Sequence, residues 1–174
     1  MSAETITTAL FLITAVVASA VLINAVYPVV YTMAGTFSST THQSDVRIRT
    51  DFKIITTFAI AGDEGTAQVW MKNIGSEPIS LEEINRSDVF CGAVGSFDRL
   101  AYQNVDPADP DPGNWTGTFD SGYDLNSNQF WDTGETLKVT AKPDGGIPAS
   151  GSRIYFQFST PNGIWRSIEF TSVS

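Results

Sequence analysis

ITTALFLITAVVASAVLINAVYPVVY, residues 6–31, sits inside forty consecutive positions, 5–44, that carry no Asp, Glu, Lys or Arg. As a helix its 26 residues would rise about 1.5 Å each and reach roughly 39 Å, enough to cross a bilayer. No basic residue precedes Arg47, Glu4 stands just ahead of the run, and the run is longer than the core of a signal peptide, so the segment is expected to be retained. A carboxylate at Glu4 also suits the positive end of a helix dipole. A core helix of a soluble protein would meet polar residues long before eighteen positions had passed.

Small residues recur along the run, and Ala15 and Ser19 have the small-xxx-small spacing that lets helix backbones approach closely in lipid. Pro28 lacks an N–H and crowds the carbonyl of Asn24, which predicts a kink there. The Asn24 amide needs a partner, either the freed backbone beside it or a neighbouring helix, and only the second makes it an assembly residue. Arg47, Arg49 and Lys53 lie sixteen or more residues past Tyr31, near the limit of the positive-inside rule, and the domain that follows is read as extracellular.

The span organises the chain into residues 1–36, a hydrophobic transmembrane or assembly helix; 37–50, a linker or helix end; and 51–174, one domain large enough to bury a core. Glu4 and Asp45 cancel Arg47 and Arg49, so the whole formal charge of −9 falls on the domain, which argues against nucleic acid and anionic lipid as partners. His42, the single histidine, is read as a solvated residue that cannot seed a zinc site. From Asp51 the apolar period becomes two. Phe52, Ile54, Thr56, Phe58 and Ile60 are expected on one face of a strand, Ala67, Val69 and Met71 on the inner face of the next. Ser80 and Glu83 have capping-box spacing. Short strands are expected over 88–94 and 99–103, and the middle, 104–134, reads as loop because acid and proline alternate from Asp106. Alternation resumes at Leu137, Val139 and Ala141, at Ile154, Phe156 and Phe158, and over 164–170. These strands with Gly and Pro between them describe an all-β, immunoglobulin-like sandwich behind one long N-terminal helix.

Catalysis finds little support, since the chain has no Gly-rich phosphate loop, no nucleophile elbow and no Ser or Cys beside a histidine. Cys91 stands alone in an apolar strand and is read as a buried, inert thiol. The sharpest motif is the candidate calcium loop 124–135. Asp124, Asn126, Asn128, Asp132 and Glu135 place oxygens at positions 1, 3, 5, 9 and 12, and Phe130 offers its carbonyl at position 7. Gln129 stands where such loops carry glycine, and the competing reading is that Asp, Asn and Gly simply make turns here. Asn85 and Asn114 head Asn-x-Ser/Thr triplets and are candidate glycosylation sites.

Five blocks then carry a resemblance: residues 3–13 with the apolar helix, 47–55 (RIRTDFKII), 70–76 (WMKNIGS), 87–100 (SDVFCGAVGSFDRL) and 160–163 (TPNG). In this order they resemble the archaellar protein G family, accessory proteins of the archaeal swimming filament related to archaellar protein F and to archaellins. The resemblance implies a type IV pilin-like plan, with the helix in the cytoplasmic membrane or filament core and the sandwich outside the cell. It also implies self-association, archaellar protein F and the surface-layer (S-layer) protein as partners, and a stator or anchor role between membrane and S-layer. Pilins and archaellins carry a basic leader ending in Lys/Arg-Gly, which has no counterpart before Thr5, so the expectation is against processing. Two other readings remain open: a structural subunit of the filament itself, and a membrane-anchored adhesin that binds calcium or glycan. No enzymatic activity is expected.

Overall fold

The computed structural model describes residues 2–104, 109–119, 126 and 128–174, and the chain divides into two compact units, Met1–Ser44 and Asp45–Ser174. The first is helix throughout its described length, and the helix, α1, runs over Ser2–Arg49. Of the two readings held for residues 37–50, the described backbone is helical through Arg49. Glu4 lies in the first turn and Arg47 and Arg49 in the last, each sign opposite the dipole end it faces. The hydroxyls of Thr7, Thr8, Thr14, Thr32 and Thr41 each donate to the carbonyl four residues back. Polar groups on an apolar helix are thereby satisfied within the helix itself, as a hydrocarbon or protein surrounding requires. Leu10, Phe11, Leu12 and Ile13, on successive positions around the axis, are all exposed, so the helix is apolar on every side along this stretch. α1 is long and apolar enough to cross a membrane.

The second unit opens on the last turn of α1 and continues as β1 (Phe52–Ala59), β2 (Ala67–Asn73), β3 (Ile79–Ser80), the short helix α2 (Leu81–Asn85), β4 (Asp88–Ala93) and β5 (Ser96–Tyr102). Then come β6 (Asn114–Thr118), β7 (Phe130–Trp131), β8 (Thr136–Lys142), β9 (Arg153–Ser159) and β10 (Trp165–Thr171). Hydrogen bonds order eight strands as β1-β2-β8-β6-β5-β4-β9-β10, with β3 and β7 paired apart. β5 changes partner along its length. It is antiparallel to β4 from Ser96 to Leu100 and parallel to β6 at Ala101 and Tyr102, which folds the one order into two layers. At the other edge Val173 bridges β1, donating to the Ala59 carbonyl and accepting from the Ala61 N–H, both at 2.9 Å, so the sandwich is closed like a barrel.

The inward residues meet as an aromatic centre. Phe52 stacks edge-on with Phe158 at 5.5 Å and lies 5.6 Å from Trp131, while Trp115 contacts Phe158 at 5.9 Å and Tyr102 at 5.0 Å. Val69, Met71, Leu137, Val139, Ile154 and Phe156 complete it, all fully buried, as the alternation predicts. Ser80 caps α2 in a full capping box with Glu83.

Two expectations are corrected. The single apolar face of β1 does not hold, because the register shifts between Ile54 and Thr56. A bulge inserts one residue and reverses the pleat. Phe52 and Ala59 are therefore buried, whereas Phe58 and Ile60 are 41% and 44% exposed. The segment 104–134 is not all loop either: β6 lies inside it as a central strand, paired on both sides, with Trp115 fully buried.

Candidate functional site

The three sequence blocks 47–55, 70–76 and 160–163 converge where the chain enters the second unit. The end of α1 leaves carbonyls without partners, as every helix does. The Arg49 carbonyl accepts from the Ser76 and Glu77 N–H groups at 2.9 and 3.2 Å, and the Asp51 carbonyl from Ile74 and Gly75 at 3.0 and 2.8 Å. Such close approach needs glycine at position 75: a Cβ there would lie 2.3 Å from the Arg49 carbonyl oxygen. The fully buried Asn73 holds the same loop from below. Its Nδ2 donates to the carbonyls of Trp131 (2.7 Å) and Glu77 (3.0 Å), and its Oδ1 accepts from the Gly75 N–H (2.9 Å). From the third block Asn162 Nδ2 donates to Thr50 Oγ1 at 3.0 Å. Sequence reasoning singled these residues out only as family blocks; their common purpose is a helix-entry clamp.

On the helix, Ser19 Oγ donates to the Ala15 carbonyl at 2.8 Å, so this small-residue pair presents no unsatisfied hydroxyl. Pro28 lies inside α1, its carbonyl accepting from Thr32 Oγ1 at 2.8 Å. Pro28 cannot donate to the Asn24 carbonyl.

In the candidate calcium loop, Asp124 lies outside the described residues. Asp132 Oδ2 accepts from Asn126 Nδ2 and Asn128 Nδ2, both at 2.8 Å. The Oδ1 atoms of these asparagines accept from the N–H groups of Asn128 (3.2 Å) and Phe130 (2.9 Å). Glu135 is buried, with Oε2 accepting from the Asp132 N–H at 2.9 Å. The two asparagine amides thus donate to Asp132, a carboxylate a cation would need, and calcium would require them to offer their oxygens instead. Gln129 adopts φ 64°, the left-handed conformation that glycine serves at this place in calcium loops. Among the described residues no three His, Cys, Asp or Glu side chains come together as a metal-binding group.

Asn85 ends α2, half-buried, and Asn114 begins β6 with Nδ2 donating to the Pro112 carbonyl at 3.3 Å. Ser87 and Thr116, the hydroxyl residues of the two triplets, are only 6% and 2% exposed. Cys91 is buried, and burial pushes its thiol up to about 12, so it stays neutral and unreactive near neutral pH.

One long apolar helix running into a β-sandwich is a pilin-like architecture. The model of the archaeal-type flagellin family matches residues 2–170, and the chain belongs to that family. It is 28% identical to an uncharacterized protein of Archaeoglobus fulgidus over 144 residues, 82% of each chain. Among solved structures it is similar to the archaellum periplasmic stator protein FlaG from Sulfolobus acidocaldarius, with 21% identity and a TM-score of 0.51 over 70% of this chain and 99% of that one. It is also similar to the archaeal flagellum of Methanospirillum hungatei strain JF1, with 15% identity and a TM-score of 0.66 over 97% of this chain and 93% of that one. Both likenesses bear on the fold.

Proposed function

We propose that this chain is a structural component of the archaellum machinery that assembles through α1 and serves as a stator or anchor between the membrane and the S-layer, in concert with archaellar protein F. The observation that carries the proposal is a helix with a stretch apolar on every side, joined to a compact acidic domain in a chain of the archaeal-type flagellin family. Such a helix has to be covered by lipid or by other helices. The role is mechanical and calls for no active site. The cell envelope is the corresponding location, with the domain outside the membrane.

The alternative, a subunit of the filament itself, is favoured by the likeness to the Methanospirillum flagellum, which extends through the helix as well as the domain. Electron microscopy of the purified full-length chain tests assembly, and filaments with α1 in their core are expected. Only monomers or detergent micelles would refute it. Copy number separates the two roles, because a filament subunit must vastly outnumber an anchor.

Calcium binding by 124–135 is a further reading, carried by the left-handed Gln129. Titration calorimetry of the full chain is expected to show binding below the millimolar range, abolished by Asp124→Ala with Asp132→Ala. No heat below that range ends the idea.

A further inference from the structure

We propose that the outer face of the layer built from β5, β4, β9 and β10 binds a neutral oligosaccharide, one sugar ring of which lies on the aromatic surface of Phe90, Phe97 and Tyr155. The inference is independent of how α1 assembles.

Of the sequence blocks beyond the helix, 87–100 alone takes no part in the helix-entry hydrogen bonds. It forms β4 and β5, and the register sets Phe97 on β5 and Tyr155 on β9 directly opposite Gly92 of β4, one on each side. Two strands with a third between them run about 9.6 Å apart. The ring centroids of Phe97 and Tyr155 nevertheless lie only 4.5 Å apart, tilted by 34°. They close over Gly92, where a Cβ would lie 2.7 Å from the Phe97 Cα. A glycine inside a strand weakens the sheet and packs nothing of its own, and one of its uses is to let another group come close to the backbone. Phe90, two positions back on β4, meets the Phe97 ring edge-on at 6.4 Å. Phe97 is 44% exposed, and Phe90 and Tyr155 are half-buried, so the three rings border water on the side of the sheet opposite the aromatic centre.

Polar groups flank the rings. Arg99 Nε donates to Asp88 Oδ1 at 2.8 Å, and Arg153 pairs with Glu169 at 3.0 Å. The Tyr155 hydroxyl donates to Gln157 Oε1 at 2.6 Å, which leaves the Gln157 amide nitrogen as a donor on the strand position opposite Phe90. These two ion pairs balance, so the face offers no net charge on a chain whose net charge is −9. A polyanion would be repelled by the domain, and a small cation would find only carboxylates already paired. A second copy would need about 800 Å² on each side, whereas the apolar part here is three partly covered rings. A pyranose ring matches what is left. Its C–H groups carry a weak positive charge that suits the negative face of an aromatic ring, and its hydroxyls both donate and accept, as carboxylate, guanidinium and amide require.

The test is calorimetric titration of the full-length chain, held in a detergent without a sugar head group, with cellohexaose, xylohexaose, mannohexaose and maltohexaose. At least one is expected to bind with a Kd of about 1 mM or tighter. Phe97→Leu still covers Gly92 but has no ring face, so it should keep the thermal midpoint of the wild type while weakening binding about tenfold or more. Tyr155→Leu serves the same purpose should the first variant fail to fold. No binding of any of the four up to about 10 mM overturns the proposal. So does a folded leucine variant that binds as tightly as the wild type, since the rings would then only cover the glycine. A leucine variant that changes the oligomeric state in sedimentation velocity with sugar binding unaltered also overturns it, and assigns the face to a second copy.

Discussion

Replacing Asn73 by alanine is expected to lower the unfolding free energy by about 3–5 kcal/mol, read as a fall in the denaturant midpoint with little change in slope. The side chain is fully buried and makes three hydrogen bonds to backbone. Its partners are the carbonyls of Trp131 and Glu77 and the N–H of Gly75, and alanine leaves all three without the amide. Each buried polar group so orphaned costs about 1–3 kcal/mol, and a domain of this size holds only about 5–15 in total. Trp131 moves with its carbonyl, and its ring packs on Phe52 at 5.6 Å, so the loss reaches the aromatic centre. Asn73→Asp should fail as badly, because it retains the acceptor for Gly75 but loses both donated bonds and brings a carboxylate into a buried site. A loss below about 1 kcal/mol for the alanine variant would show that water takes over these bonds and that the clamp is not what holds the loop.

How far the sequence reveals this molecule varies with the range of the interaction. The apolar helix is legible because its signal is local and unbroken, and the inner residues of β2, β8 and β9 are legible because two-residue alternation survives along each strand. β1 misleads, since the extra residue at its bulge reverses the pleat without any Gly or Pro to announce it. β6 is hidden because Asn114, Gly117 and two threonines read as turn composition, and only the buried Trp115 gives a strand signal. The clamp shows itself in the sequence as motif blocks whose reason is invisible there: Asn73 reaches Trp131 across 58 positions, and Asn162 reaches Thr50 across 112. The facing of Lys53 and Lys72 is equally illegible, since they become neighbours only through strand register. The calcium loop illustrates the converse. Its spacing is plain in sequence, while the amide rotamers that oppose or admit a cation belong to the folded loop.

Removing residues 1–44 is expected to abolish assembly entirely and leave a soluble, folded domain. The cut belongs there because the second compact unit begins at Asp45 and includes the last turn of α1. Within that turn Asp45 pairs with Arg49, and Thr50 donates from both N–H and hydroxyl to the Val46 carbonyl at 2.9 and 2.8 Å. The Arg49 carbonyl meanwhile accepts from Ser76 and Glu77. A cut seven residues later, before Phe52, strips these partners from the 74–77 loop and should cost several hydrogen bonds at about 1 kcal/mol each. Size-exclusion chromatography and thermal melting should therefore show a stable monomer for 45–174 and a distinctly less stable one for 52–174. Filaments formed by 45–174 as readily as by the whole chain would remove α1 from the assembly mechanism and leave the domain surfaces as its cause.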